Sequence, residues 1–292
     1  MEPSALNHRP IIGVVAQETD DGTESYIAAS YVKFVESAGG RAAPVHINQT
    51  EEEYRALFKS INGVLYPGGD ASLTTSGYAK ATRLFFDLAK EANDGGDYFP
   101  VWGTCLGFQL MACVVGEKEG DVLTRTGEAD EALALDFTHD ATESRMFRSF
   151  PKETLKALSS EAVTANIHNY SMTTATFKEL RSLNTFYRVL STNTYNDGTE
   201  FVSTMEAYQY PFYAVQWHPE KNLFEWSRSQ PLPHSPSAVK VASCCAHFFI
   251  SEARKNRHRF KSEEQERRAL VYRYTPKYTA DCTPWVQTYY FS

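Results

Sequence analysis

Residues 100–111, PVWGTCLGFQLM, decide how this chain is read. An apolar run ends at Gly103, a cysteine follows at Cys105, and Gly107 opens a stretch with helical spacing. A G-x-C-x-G pentapeptide at the end of a buried strand has the form of a nucleophile elbow with a thiol in place of a hydroxyl. Such a turn holds the nucleophile in a strained backbone conformation, and the flanking glycines let neighbouring chain pass without a Cβ clash. At the start of a helix near Leu106, the sulfur would face unpaired N–H groups and the positive end of the helix dipole, a position that favours thiolate. The same pentapeptide is also compatible with a small buried core cysteine beside a tight turn.

Working outward, the segments on either side alternate between two periods. RPIIGVVAQ (9–17), RAAPVHI (41–47), NGVLYPGG (62–69) and YFPVWGT (98–104) are short apolar runs of the kind expected for strands buried on both faces. Between them lie helical patterns: ASYVKFVESAGG, with Tyr31, Phe34, Val35 and Ala38 on one face, then EEEYRALFKSI (51–61) and TRLFFDLAKEAND (82–94). Strand and helix alternating in this way predict an α/β fold with a mainly parallel central sheet and helices on both faces. Beyond about residue 120 the alternation fails, and 117–185 reads as insertions with a smaller antiparallel region. FYRVLSTNT and EFVSTMEAY flank the turn YNDGT and predict a hairpin. YPFYAVQW is a further strand ending in HPEK, and a helix is expected over 238–253, capped by Ser237, with Val239, Ala242, Ala246, Phe249 and Ala253 facing inward. The aromatic tail from Val271 to Ser292 is too apolar to remain solvated and should pack on the rest. One domain over 1–292, with the insertions and a packed C-terminal extension, is the expected organisation.

Composition narrows the function classes. A net charge of −7 argues against nucleic-acid binding, because phosphate contacts need a concentrated excess of Lys and Arg. The one basic run, RKNRHRFK (254–261), is followed at once by SEEQER, which reads as a solvated helix face. No apolar run approaches the ~18 residues of a membrane span. Five cysteines without CxxC spacing indicate neither a disulfide framework nor a zinc site, so no metal or other cofactor is expected. The start, MEPSALNHRP, shows no apolar leader, while sequons at Asn48 and Asn169 are compatible with secretion.

A nucleophile needs a base. His218 ends the strand YPFYAVQW and so falls at the carboxyl edge of the sheet, where Cys105 also lies and where open α/β sheets form their sites. Glu220, two residues on, is placed to accept from the imidazole and fix its tautomer. The alternative for HPE is a strand-ending turn with both side chains exposed. The backbone N–H groups of Leu106 and of Gly69, in YPGGD, are candidates for an oxyanion hole. No GxxxxGKS/T loop is present.

Taken in order, PGGD, GTCLGFQ and QWHPEK resemble the class I glutamine amidotransferase-like fold. With TANIHNYSM, STMEAYQYPFYAVQWHPEK and the FF-x-x-EARKN helix, the chain is similar over nearly its whole length to the γ-glutamyl hydrolase family. The resemblance implies hydrolysis of folyl and antifolyl poly-γ-glutamates, with Cys105 as nucleophile and His218 as acid/base partner, and with Glu220 orienting it. It also implies that His168 lies near the substrate pocket. Gly68 and Lys221 are further candidates for substrate contact, Lys221 because carboxylates along a polyglutamate tail need a local cation despite the net charge of −7. It carries an expectation of a lysosomal or secreted glycoprotein, against which the missing leader leaves a cytoplasmic location open, and it allows a homodimer. A glutaminase subunit of an amidotransferase, or a binding module that has lost the chemistry, would share the same motifs.

Overall fold

A computed structural model of the chain describes residues 6–116 and 120–292. Eight strands form the central sheet, in the spatial order Arg41–Val45, Ile11–Val15, Gly63–Tyr66, Val101–Thr104, Phe212–Val215, Glu200–Ala207, Tyr187–Thr194 and Asp136–Phe137. The first five run parallel and the last three pair antiparallel. This is the expected α/β arrangement: parallel strands, buried on both faces, carry near-continuous apolar sequence such as Ile-Ile-Gly-Val-Val.

Neighbouring residues on each strand feed opposite cores. Val64 and Val101 join Phe85, Phe99 and Phe108 beneath helices Glu51–Phe58, Gly77–Asp94 and Leu106–Gly116. Leu65 and Trp102 join Phe34 and Phe249 beneath helices Ala29–Ser37 and Pro236–Ala253. Each such side chain, fully buried, contributes about 1.5–3 kcal/mol relative to exposure. The period-2 alternation of the strands is thus what gives the sheet its two covering layers.

Two smaller sheets decorate this frame. The tail strand Gln287–Phe291 pairs with Lys277–Tyr278 and with Ser25–Ala28, which in turn pairs with Gln17–Glu18. Within the polar stretch, Thr124–Leu133 and Thr164–Ser171 make an antiparallel ribbon. The hairpin expected around YNDGT is present, with Gly198 at φ +88° supplying the left-handed turn residue.

Several local expectations are corrected. The last long helix is capped by Ser235 rather than Ser237, its hydroxyl accepting from the Ala238 N–H at 3.1 Å, because Pro236 occupies the first helical position, where its fixed φ and missing N–H cost nothing. Val239 is 37% exposed and lies off the packed face. The helix expected at 82–94 begins five residues earlier, capped by Ser76, so Tyr78 and Ala79 are also core residues. The basic run 254–261 does not continue the helix as a solvated face. Asn256 and His258 draw it into an irregular connection, Asn256 Nδ2 donating to the Tyr98 carbonyl at 2.9 Å and His258 Nε2 meeting Asp97 at 2.7 Å. Only the acidic half becomes a helix, Glu263–Ala269.

Gly107 sets how closely the helix that follows Cys105 approaches the sheet. A Cβ there would lie 2.1 Å from the Tyr66 carbonyl oxygen, on backbone that cannot yield. Gly107→Ala should destabilise the fold by at least the ~1–3 kcal/mol of an overpacked core, read as a lower urea midpoint with unchanged slope.

Candidate active site

Strand Val101–Thr104 passes into helix Leu106–Gly116 through a single residue. That residue, Cys105, has φ +50°, in the left-handed region that costs a non-glycine residue about 1–3 kcal/mol and persists only where surroundings over-determine it. Here the surroundings are its N–H, which donates to the Val215 carbonyl at 2.9 Å, and its carbonyl, which accepts from Gln109 N–H at 2.9 Å in the first helical turn. A Cβ at Gly103 would meet Met111 Sδ at 2.6 Å and the Gly107 carbonyl carbon at 2.8 Å. The two glycines around Cys105 are therefore there for close packing of turn against strand.

The neighbouring parallel strand, Phe212–Val215, is in register with Val101–Thr104 and carries the chain to His218 at the same edge. His218 N–H donates to the Ala165 carbonyl at 2.9 Å, tying the turn to strand Thr164–Ser171. Its Nδ1 meets Glu220 Oε1 at 2.7 Å, and the imidazole is a hydrogen-bond partner of the Cys105 thiol. Both side chains of the pair are buried, so the exposed-turn alternative for HPE does not hold. Burial by itself would depress the imidazole's basicity, but the carboxylate of Glu220 and the sulfur of Cys105 outweigh it and push His218 up to about 9. The ring is an imidazolium at neutral pH, a fixed counter-charge beside the sulfur.

Tyr31 and Gln17 complete the setting, and sequence reading had missed both as site residues. The Tyr31 hydroxyl accepts the Gly68 N–H at 2.8 Å and lies 3.4 Å from His218 Nδ1. Gln17 Nε2 donates to the Gly68 carbonyl at 2.9 Å. A Cβ on Gly68 would sit 2.6 Å from His218 Cε1 and 3.1 Å from Cys105 Cβ, so the Pro-Gly-Gly turn runs directly against the thiol–imidazole pair. With its N–H and carbonyl already engaged, Gly68 offers substrate a close surface rather than hydrogen bonds. Tyr31 had read only as one position of an apolar helical face, and nothing in its spacing distinguishes a core tyrosine from one whose hydroxyl reaches the site.

Cys105 stands where two cavities meet. One, of about 840 Å³, is lined by His218 and Lys221; the other, of about 710 Å³, by Leu106, Gln109 and His168. Gly69, Asp70, Cys105 and Ile167 line both. The Ile167 carbonyl lies 3.7 Å from Cys105 Sγ. His168 is held on both ring nitrogens, Nδ1 by Tyr195 Oη at 3.0 Å and Ser171 Oγ at 3.2 Å, Nε2 by Asn166 Oδ1 at 3.3 Å. Burial, helped by the positive charge of His218, lowers His168 to about 3, so it stays neutral. Lys221 is buried, with Nζ 2.9 Å from Gln230 Oε1 and 4.1 Å from the Trp285 ring centroid. Burial pulls its ammonium below the ordinary lysine range, opposed by the carboxylates of Glu220 and Glu225. Among the described residues no group of three or more His, Cys, Asp or Glu side chains is arranged to hold a metal ion.

The Peptidase C26 profile matches residues 10–220, a span that contains every residue named in this arrangement except Lys221, Glu225, Gln230 and Trp285. The chain belongs to the peptidase C26 family. It is 48% identical over 289 residues to a γ-glutamyl hydrolase of Rattus norvegicus, covering 97% of this chain and 90% of the relative. Identity is 47% to that of Homo sapiens, with the same coverage, and 38% over 282 residues to γ-glutamyl hydrolase 1 of Arabidopsis thaliana, covering 94% and 80%. Among solved structures, a Thermoplasma acidophilum protein described as one component of a GMP synthase superposes with a TM-score of 0.50 at 14% identity, covering 84% of this chain and 96% of that one. A chain of PurLQS from Thermotoga maritima gives 0.50 at 14%, covering 82% and 99%. At that identity the likeness is one of fold alone.

The opposite charge states of the two histidines can be measured. In a ring-proton NMR titration, His168 should show no protonation between pH 5 and 8, while His218 should titrate near 9 and fall toward 6.5 in Glu220→Gln. The linked stability has opposite signs: the His218 contribution is full below pH 6.5 and is lost as pH rises through about 9, whereas that of His168 is full above 6.5 and is lost as pH falls toward about 3.

Proposed function

We propose that the chain hydrolyses the γ-glutamyl bonds of folyl and antifolyl poly-γ-glutamates through a γ-glutamyl thioester on Cys105. Membership of the family makes it a hydrolase of γ-glutamyl linkages. The observation that carries the finer reading is a buried thiol, imidazolium and carboxylate in series at the junction of two cavities.

The Cys105 thiolate attacks the γ-carbonyl, and the carbonyl oxygen, now an oxyanion, is received by backbone N–H groups of Leu106 and Gly69. Gly68 is not the donor, because its N–H is already given to Tyr31. Collapse of the tetrahedral adduct breaks the C–N bond while His218 gives its proton to the departing amine. The neutral imidazole then takes a proton from water, whose oxygen attacks the thioester; the C–S bond breaks, the γ-glutamyl acid leaves and the sulfur returns as thiolate. Glu220 holds the ring through Nδ1, leaving Nε2 to face the reacting atoms. On the acyl side His168 acts as a neutral, fixed wall, and on the other side the Lys221 ammonium attracts tail carboxylates.

The exposed sequons at Asn48 and Asn169 fit a lysosomal or extracellular glycoprotein. N-glycosidase treatment of the native protein should lower its mass; an unchanged mass would favour the cytoplasm.

Cys105→Ala or His218→Ala should lower turnover of folate pentaglutamate by several orders of magnitude, as for residues that act as a unit. Acid quenching of the wild type during turnover should trap a mass adduct absent from Cys105→Ala. Because the acid form of His218 is needed in the first step, kcat/KM should fall as pH rises through about 9. Lys221→Glu should raise KM for γ-linked substrates; an unaltered KM would remove Lys221 from substrate binding.

A further inference from the structure

The turn Pro67-Gly68-Gly69 leaves strand Gly63–Tyr66 through two consecutive peptide units, and buried side chains hold them differently. The first is fixed at both ends: the Pro67 carbonyl accepts from Tyr78 Oη at 2.8 Å, and the Gly68 N–H donates to Tyr31 Oη at 2.8 Å. The second is fixed at one end only. Gln17 Nε2 donates to the Gly68 carbonyl at 2.9 Å, while the Gly69 N–H has no hydrogen-bond partner among the described residues.

A trans peptide unit is planar, so its carbonyl and N–H point in opposite directions. Whatever holds the Gly68 carbonyl therefore sets the direction of the Gly69 N–H. Without a holder the unit could rotate, because both residues flanking it are glycines and lack the Cβ that restricts φ and ψ. Gln17 supplies the restraint. Strand Ile11–Val15 runs parallel to Gly63–Tyr66 with Val14 opposite Leu65, and three residues further on this register sets Gln17 beside Gly68. The Gln17 side chain is buried and its Oε1 has no partner among the described residues, so its amide makes one hydrogen bond, the one to this carbonyl. A Cβ on Gly69 would lie 1.9 Å from Gln17 Oε1, so the amide rests directly against the unit it holds. Gln17 lines neither cavity, whereas Gly69 lines both beside Cys105.

We propose that Gln17 is a positioning residue for the oxyanion hole: by holding the Gly68 carbonyl it aims the Gly69 N–H at the oxygen of the tetrahedral adduct. The inference rests on the thioester mechanism above and adds to it the group that pre-organises one of the two donors. The other donor, the Leu106 N–H, opens helix Leu106–Gly116 and is oriented by that helix. Tyr31 and Tyr78 act on the preceding unit and do not substitute for Gln17. A donor aimed in advance stabilises the oxyanion without reorganising during the reaction, and a misplacement of about 1 Å costs on the order of 10²-fold in rate.

The test compares two reactions of the same thiol. Hydrolysis of folate pentaglutamate builds an oxyanion. Alkylation by iodoacetamide does not: the sulfur bonds to a saturated carbon, the C–I bond breaks and iodide leaves. Gln17→Met keeps the length of the side chain and removes its donor. It should lower kcat and kcat/KM together by on the order of 10²-fold, with KM within about twofold of wild type. The rate at which Cys105 is alkylated, followed on its own peptide by mass spectrometry, should stay within about twofold, because the thiolate and its imidazolium are untouched. Gln17→Asn, whose amide is drawn back by one methylene, should show the same split and serves if the first variant does not fold. An unaltered kcat, or equal losses in turnover and alkylation, would overturn the inference while leaving γ-glutamyl hydrolysis standing. Wild-type turnover that survives complete alkylation of Cys105 would instead overturn the functional reading on which it rests.

Discussion

The backbone at Cys105 takes a left-handed conformation because strand must become helix within one residue, and that conformation survives only while the adjacent strand holds it. The clasp is the hydrogen bond from the Cys105 N–H to the Val215 carbonyl. Val215 belongs to the same strand that delivers His218, so one parallel pairing both strains the thiol's residue and supplies its imidazole. Gly103 and Gly107 permit the helix to close on the strand at this point, and the Gly68 backbone seals the pair from a third strand end. Everything else at the site is arranged around that junction.

Electrostatics within the site are decided by contacts a few ångströms long. Two buried histidines of the same chain take opposite charge states: His218, beside Glu220 and the sulfur of Cys105, is held protonated, and His168, among Tyr195, Ser171 and Asn166, is held neutral. Desolvation acts on both in the same direction. What differs is whether a negative partner is present to oppose it. The overall charge of −7 does not predict either state.

The C-terminal extension is joined to the chemistry more closely than its place in the chain suggests. Its strand Gln287–Phe291 completes a sheet with Ser25–Ala28, which leads directly into the helix carrying Tyr31. Val286 N–H donates to Glu225 Oε2 at 2.6 Å, and Trp285 covers Lys221, so the short helix after the His-Pro-Glu turn is gripped from this side. The span matched by the family profile ends at residue 220, and the wall of the larger cavity is finished by residues beyond it.

Much of this was legible in the sequence. Apolar runs of strand length alternating with helical patterns determined the parallel sheet and its two covering layers, since those periodicities are local properties of the chain. Gly-Thr-Cys-Leu-Gly determined the elbow, because the geometry of such a turn is written in its own glycines, and His218 and Glu220 followed from a strand ending in a turn. In the polar stretch 117–185 the sequence supports an antiparallel region but not its strands or register, for the ribbon has no periodic signal of its own and forms by pairing across some forty residues. Nor could sequence show that the Tyr31 hydroxyl and the Gln17 amide hold the Pro-Gly-Gly turn, that Lys221 is buried beneath Trp285, or that the sulfur stands where two cavities meet. Those features depend on side chains from distant segments converging at one sheet edge, and the separation of such partners along the chain carries no record of their distance in space.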